Sequence, residues 1–171
     1  DKAGEFNCGG SITIAGTRIK CWRYYRPHGS QSLRQALMNS CNPVFIGLGQ
    51  KLGVDTYYSY LEKFGFLGKT GIDLPVESLG YMGSSTLPGH LLDFSIGQYD
   101  TYTPIQLSQY INTLANGGTK LKPYLLKEVY SASANSDDVF GDLIYVSEVD
   151  KLGKVDVEKE YIDRVRLGFN Q

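Results

Sequence analysis

No stretch of this chain approaches the ~20 consecutive apolar residues of a membrane-spanning helix, and no secretory leader pattern opens it. The sequence therefore predicts no span within these residues. Cationic excess is missing too. The net charge is −1 and no Lys/Arg stripe stands out, so nothing points to a nucleic-acid partner. Internal repeats and low-complexity tracts are absent. Cysteine is scarce: there are three, an odd number that cannot all pair in disulfides. The other bulk properties are ordinary, with 42% hydrophobic and 20% charged residues, enough apolar content to bury a core. At 171 residues this is one domain or part of a larger one. It opens on Asp1 and stops inside a helical pattern, so a fragment or processed piece is expected.

The few cysteines are not scattered. Cys8, Cys21, His28 and Cys41 read C-x12-C-x6-H-x12-C and include one of only two histidines. Three thiols and an imidazole are the donor set of a closed four-coordinate zinc site. The intervals are longer than those of a zinc knuckle, so the pattern leaves rivals open. One is a Cys8–Cys21 disulfide with Cys41 as a small buried apolar residue. Another is three unpaired structural thiols.

Residues 1–31 form a Cys-rich loop region, rich in Gly and turn residues, without helical periodicity. It reads as a loop or small β excursion held by something other than a core. Helical signals dominate 32–121. Ser32 is placed to cap a helix carrying Leu33, Ala36 and Leu37 and ending near Ser40. Asn42-Pro43 reads as N-cap and first helical residue of a second helix running to Gly53. A third begins at Asp55 and ends at Gly65. Residues 66–100 are irregular, broken by Pro75 and Pro88. Thr103-Pro104 starts a helix that stops at Asn116-Gly117-Gly118. In 122–171, Tyr124–Tyr130 and Val139–Val146 read as strands flanking a polar loop at 131–138. Asp156 is read as the cap of a last helix with Val157, Tyr161, Val165 and Phe169 toward the core.

Several blocks then carry a resemblance. IKCW at 19–22, HG at 28–29 and ALMNSCNPVF at 36–45 come first. FGFLGKTGIDLPVE at 64–77, IGQ at 96–98, YTPIQLSQYINTLANGG at 102–118 and KPYLLKEV at 122–129 follow. In this order they resemble the transpeptidase domain of class B penicillin-binding proteins, the serine D,D-transpeptidases that cross-link peptidoglycan. The resemblance covers nearly the whole chain. It implies an α+β fold: the helical lobe of the penicillin-binding (serine β-lactamase-like) fold with a small β portion.

The family uses S-x-x-K for the nucleophile, then S-x-N, then K-T-G on a strand. Ser40-Cys41-Asn42 is the S-x-N motif. No S-x-x-K occurs. Lys69-Thr70-Gly71 lies in a connecting block and is read as a decoy. The nucleophile and true K-T-G are thus expected before and after this chain, and the chain alone is expected to be inert. The resemblance makes Ser40 and Asn42 the catalytic candidates. Ser40 would support proton transfer at the nucleophile, and Asn42 would contact its lysine and the ligand. One branch of the family carries zinc beside S-x-N, and His28 and Cys41 match its ligand blocks; Cys8 and Cys21 match more loosely. With four protein ligands the zinc is expected to be structural. Stem peptide and β-lactams are the implied partners of a membrane-anchored parent. That parent would work in a cell-wall synthesis complex on the extracytoplasmic face of the bacterial membrane. Two rivals stand beside this reading. One is a catalytically dead scaffold relative. The other is a zinc-dependent switch in which oxidation of the thiols disables the site. His90 is expected to be a surface or packing residue and Trp22 to pack over the loop. Tyr99 departs from the family's usual glycine after Gln98.

Overall fold

The computed structural model describes residues 4–83, 90–135 and 137–170. Pro88, read above as a breaker, lies outside them. The chain opens with four short strands, β1 (Phe6–Cys8), β2 (Ser11–Ile14), β3 (Thr17–Lys20) and β4 (Gly29–Gln31). Strands β2 and β3 pair antiparallel across Ala15-Gly16, both at positive φ (48° and 81°). Two consecutive left-handed residues make the tight turn whose twist suits a hairpin. This hairpin sits inside the antiparallel β1–β4 pair, where Cys8 lies opposite Gly29. The excursion read from the sequence is thus two nested hairpins. Among its described residues only Cys8, Gly10, Cys21 and Gln31 are buried. That is no hydrophobic core, and ordering each residue costs about 1–2 kcal/mol of backbone entropy.

Three helices follow: α1 (Leu33–Met38), α2 (Asn42–Leu52) and α3 (Val54–Lys63). Ser32 caps α1 as expected. Its Oγ accepts from Gln35 N–H at 3.2 Å, and Gln35 Oε1 accepts from Ser32 N–H at 2.8 Å. Helix α2 corrects the sequence reading by one residue. Its N-cap is Cys41, not Asn42, and Pro43 is the second helical residue. The Cys41 side chain makes no cap bond because it is turned into the core. Cys8, Cys21, Ala36, Cys41 and Val44 form one buried cluster, flanked by Phe6, Phe45 and Leu48. The nested hairpins therefore meet α1 and α2 through their cysteines.

Helix α4 (His90–Phe94) was not read from the sequence. Helix α5 (Pro104–Ala115) is capped by Thr103 with Gln106, as its motif predicts, and ends at Asn116 before Gly117 and Gly118 at φ 79° and 101°. Next come β5 (Thr119–Leu121), β6 (Glu128–Tyr130), β7 (Leu143–Val146) and β8 (Lys151–Lys154). Strands β6 and β7 lie inside the two expected strands and pair with each other; β5–β8, the outer pair, was not anticipated.

Helix α6 (Lys159–Phe169) begins after Glu158 rather than Asp156. Its inward face is also turned from the expected one. Ile162 and Gly168 are buried, whereas Tyr161 and Phe169 are 54% and 55% exposed. Close approach explains the rotation. A Cβ on Gly118 would lie 2.8 Å from Ile162 Cδ1, and one on Gly168 would lie 2.5 Å from Leu37 Cδ2. Small residues at these contacts seat the helix, not its longest apolar stripe. No helix among the described residues is long and apolar enough to cross a membrane.

Candidate metal centre and the serine–asparagine turn

Helix α1 ends in a tight double hydrogen bond. Cys41 N–H reaches back to Ala36 C=O at 3.0 Å and Ser40 N–H to Leu37 C=O at 3.0 Å. This is the six-to-one and five-to-two pattern of a helix stop whose pivot is left-handed and usually glycine. Here the pivot is Ser40, at φ 46°. A residue with a Cβ held in that conformation carries strain of roughly 1–2 kcal/mol. The stop also brings Ala36 and Cys41 together, both 0% exposed. Ser40 itself is exposed, and Asn42, the first residue of α2, is half-buried. Its amide is free of the cap role the sequence suggested, which leaves it available for other contacts.

One residue on from the strained serine, Cys41 joins Cys8, Cys21 and His28. Their ligand atoms all lie within 4.8 Å of one another, and the three cysteines are free thiols. Cys21 Sγ and His28 Nδ1 are 3.5 Å apart. Bond lengths of zinc to sulfur and nitrogen imply tetrahedral edges of about 3.5 Å for S···N and about 3.8 Å for S···S. The Cys21–His28 pair already has that length and no pair is wider than 4.8 Å, so the donor set fits the ion with a contraction of at most about 1 Å. Each ligand comes from a different part of the fold: the end of β1, the residue after β3, the residue before β4, and the N-cap of α2.

The surroundings act unevenly on the three thiols. Burial pushes the Cys8 thiol up, but the polar influence of the Gly10 and His28 backbone and of the Cys41 and Cys21 side chains outweighs it and leaves the group below the ordinary value. Burial dominates at Cys21, which is raised, and at Cys41, which is pushed up to about 12. Burial, aided by the Arg23 charge, lowers His28 and keeps its ring neutral. Its Nε2 is buried and has no hydrogen-bond partner among the described residues. Trp22 is 66% exposed, yet its indole N–H donates to Asn39 C=O at 2.9 Å. The ring also meets His28 edge-on at 5.4 Å. The expected packing residue thus ties the loop to the residue before Ser40.

Lys69-Thr70-Gly71 belongs to no strand. Glu77 accepts from Thr70 N–H and Oγ1–H, both at 2.7 Å, and from Gly71 N–H at 3.0 Å. From α5, Gln106 Nε2 donates to the carbonyls of Phe66 and Gly68, and Gln109 Nε2 to those of Thr70 and Leu121. Thr70 is 1% exposed. Thr70 is thus the buried point of a structural clamp, with Lys69 and Gly71 exposed on either side. His90 stacks on Tyr99 at 4.1 Å and lies 5.9 Å from Phe94, a packing role. The sequence did not mark Gln31 as buried, yet it is 2% exposed; nothing local signals burial of a glutamine at the end of a three-residue strand.

A family model described as the penicillin binding protein transpeptidase domain matches residues 3–171. Penicillin-binding protein 2A of Bacillus subtilis is 49% identical over 117 residues, 68% of this chain and 16% of that protein. The peptidoglycan D,D-transpeptidase MrdA of Acinetobacter baumannii is 33% identical over 116 residues, 61% of this chain and 17% of that protein. Among solved structures, penicillin-binding protein 2B of Streptococcus pneumoniae strain R6 superposes with a TM-score of 0.78 at 26% identity. That superposition covers 94% of this chain and 29% of that one. The chain thus spans less than a third of each of these three proteins.

Proposed function

Since the chain belongs to the penicillin binding protein transpeptidase family, we propose that its parent is a serine D,D-transpeptidase to which these residues contribute the serine–asparagine turn. The parent's nucleophilic serine attacks the D-Ala-D-Ala carbonyl of a stem peptide and D-Ala leaves. The acyl group then passes to an amine of a neighbouring stem. β-Lactams trap the same serine. Nucleophile and K-T-G strand come from parts of the parent outside these residues. The parent is held at the extracytoplasmic face of the membrane within a cell-wall synthesis complex.

Within this scheme Ser40 and Asn42 have distinct tasks. The Ser40 hydroxyl donates and accepts, so it passes a proton between the nucleophile's lysine and the departing group. The Asn42 amide donates to a substrate carbonyl and accepts from the lysine ammonium. The observation carrying the reading is the left-handed backbone of Ser40 at φ 46°, where glycine fits without strain yet a hydroxyl-bearing residue stands.

The same proposal includes a structural zinc on Cys8, Cys21, His28 and Cys41. When bound, the ion supplies four fixed bonds and no open position for water. The residues do the rest: Cys41 anchors the turn from below, and the hairpin ligands anchor Cys41. The functional arm is tested in the intact parent with a fluorescent penicillin. Ser40→Ala and Asn42→Ala each slow acylation, while the isolated chain forms no adduct that survives denaturation. A stable adduct on the isolated chain, or full-rate acylation in both variants, contradicts the proposal.

A further inference from the structure

The net charge of −1 is laid unevenly along the chain. From Phe6 to Val54 there is no Asp or Glu, while Arg18, Lys20, Arg23, Arg26, Arg34 and Lys51 all fall there. Four of these six cations lie within nine residues, on β3 and the turn after it. The whole-chain balance hides this patch because the carboxylates lie elsewhere.

All four are exposed, and among the described residues none joins a salt bridge. Alternation along β3 puts Arg18 and Lys20 on one face. Both sit over the same ring: the centroid of Tyr24 is 5.1 Å from the Arg18 guanidinium and 4.8 Å from the Lys20 ammonium. Arg26 N–H returns to Arg23 C=O at 3.1 Å, a turn that keeps the other two cations near each other. Like charges gathered in this way repel, and an anion from outside relieves them. Aromatic faces stand among them. Tyr25 is 92% exposed beside Tyr24, and Trp22, with Arg23 at 5.8 Å, is 66% exposed.

Such a surface fits a polymer that repeats carboxylates and sugar rings. Arginine pairs with carboxylates in a planar fork, and an open aromatic ring takes the C–H face of a sugar. An anionic bilayer would instead draw on aliphatic side chains inserted beside the charges, and the hairpin's Ile12, Ile14 and Ile19 are half-buried. The place of the patch agrees. Trp22 N–H donates to Asn39 C=O, which fastens the patch to the residue before Ser40.

We propose that this face of the nested hairpins docks the glycan strand of peptidoglycan. Arg18, Lys20, Arg23 and Arg26 pair with free carboxylates of its stem peptides, and Trp22 and Tyr25 stack on its sugars. This inference rests on the transpeptidase reading proposed above.

The test is co-sedimentation of the intact parent with purified, protein-free sacculi, after a fluorescent penicillin has blocked the catalytic serine. Retention is expected to weaken as salt rises. Arg18→Glu/Arg26→Glu lowers affinity about tenfold or more, and Tyr25→Ser lowers it about two- to tenfold. Sacculi whose carboxylates have been amidated bind as weakly as the charge-reversed variant meets native ones. Penicillin acylation stays at the wild-type rate in these variants. Arg18→Gln/Arg26→Gln answers the question if the reversed variant does not fold. Wild-type retention in the folded charge variant overturns the docking surface, as does binding to anionic phospholipid vesicles without binding to sacculi; in both cases normal acylation leaves the transpeptidase reading standing. A parent that penicillin does not acylate overturns that reading and this one with it.

Discussion

Ser40 and Cys41 share a peptide bond and face opposite environments: Ser40 is exposed at φ 46°, and Cys41 is 0% exposed among two other cysteines and a histidine. Whatever holds the Cys41 sulfur therefore holds the carbonyl and ψ of Ser40. The helix stop at Ala36 and Leu37 fixes the other side. A residue that glycine would occupy more comfortably is clamped from both directions.

Relief of that strain is measurable. Ser40→Gly is expected to stabilise the fold by about 0.5–1 kcal/mol, because glycine adopts the left-handed pivot freely. For a chain of this size that is a rise of roughly 2–4 °C in Tm per kcal/mol. Ser40→Ala keeps the strain and should stay within about 0.5 kcal/mol of wild type. Both variants remove the hydroxyl, so acylation by the intact parent is expected to fall by ~10²–10⁴. Gain of stability together with loss of acylation in Ser40→Gly separates the chemical role from the structural one. Thermal unfolding and fluorescent-penicillin kinetics read the two effects.

Acid should release the 66–77 loop first. Burial opposes ionisation of Glu77, but hydrogen bonds from Thr70 and Gly71 outweigh it and hold the carboxyl below its ordinary value of 4.5. A depressed folded value means the stabilisation is complete above the unfolded value and fades as pH falls through the folded one. The expected outcome is intact protection of the Thr70 and Gly71 amides at pH 6 and rising exchange below about pH 4. Glu77→Gln, which weakens charge-assisted bonds, should cost about 1–2 kcal/mol at neutral pH and flatten this dependence. Hydrogen exchange against pH decides it.

Legibility in the sequence followed the range of the interactions involved. Caps at Ser32 and Thr103, each with a glutamine three residues on, were readable because capping is local. The four metal-type residues were readable because their types are rare, and the structure gathers all four. The one-residue shift at Cys41 was not, since a sulfur drawn into a distant cluster overrides the preference for Asn as a cap. The face of α6 is set by close approaches at Gly118 and Gly168, which no periodicity reveals. Likewise β5 and β8 are short and pair across about thirty residues.

Tyr99 offers a check on strain away from the turn. It sits at φ 75° where the resemblance leads one to expect glycine, and its ring stacks on His90. Glycine would recover about 1–2 kcal/mol of backbone strain and lose about 0.5–1.5 kcal/mol of ring contact. Tyr99→Gly is therefore expected within about 1 kcal/mol of wild type. Tyr99→Ala loses the ring and keeps the strain, and should be about 0.5–1.5 kcal/mol less stable. Urea unfolding of the pair tests the ordering, and equal destabilisation in both would contradict the strain argument.

The proposal that a metal clamps Cys41, and through it Ser40, is tested most directly by the zinc content of the purified, untagged chain beside Cys41→Ser. The account predicts close to one zinc per wild-type chain, released by a chelator with a marked fall in Tm, and both metal and that stability missing in the variant. Wild-type protein without metal, or zinc held equally by Cys41→Ser, would contradict it.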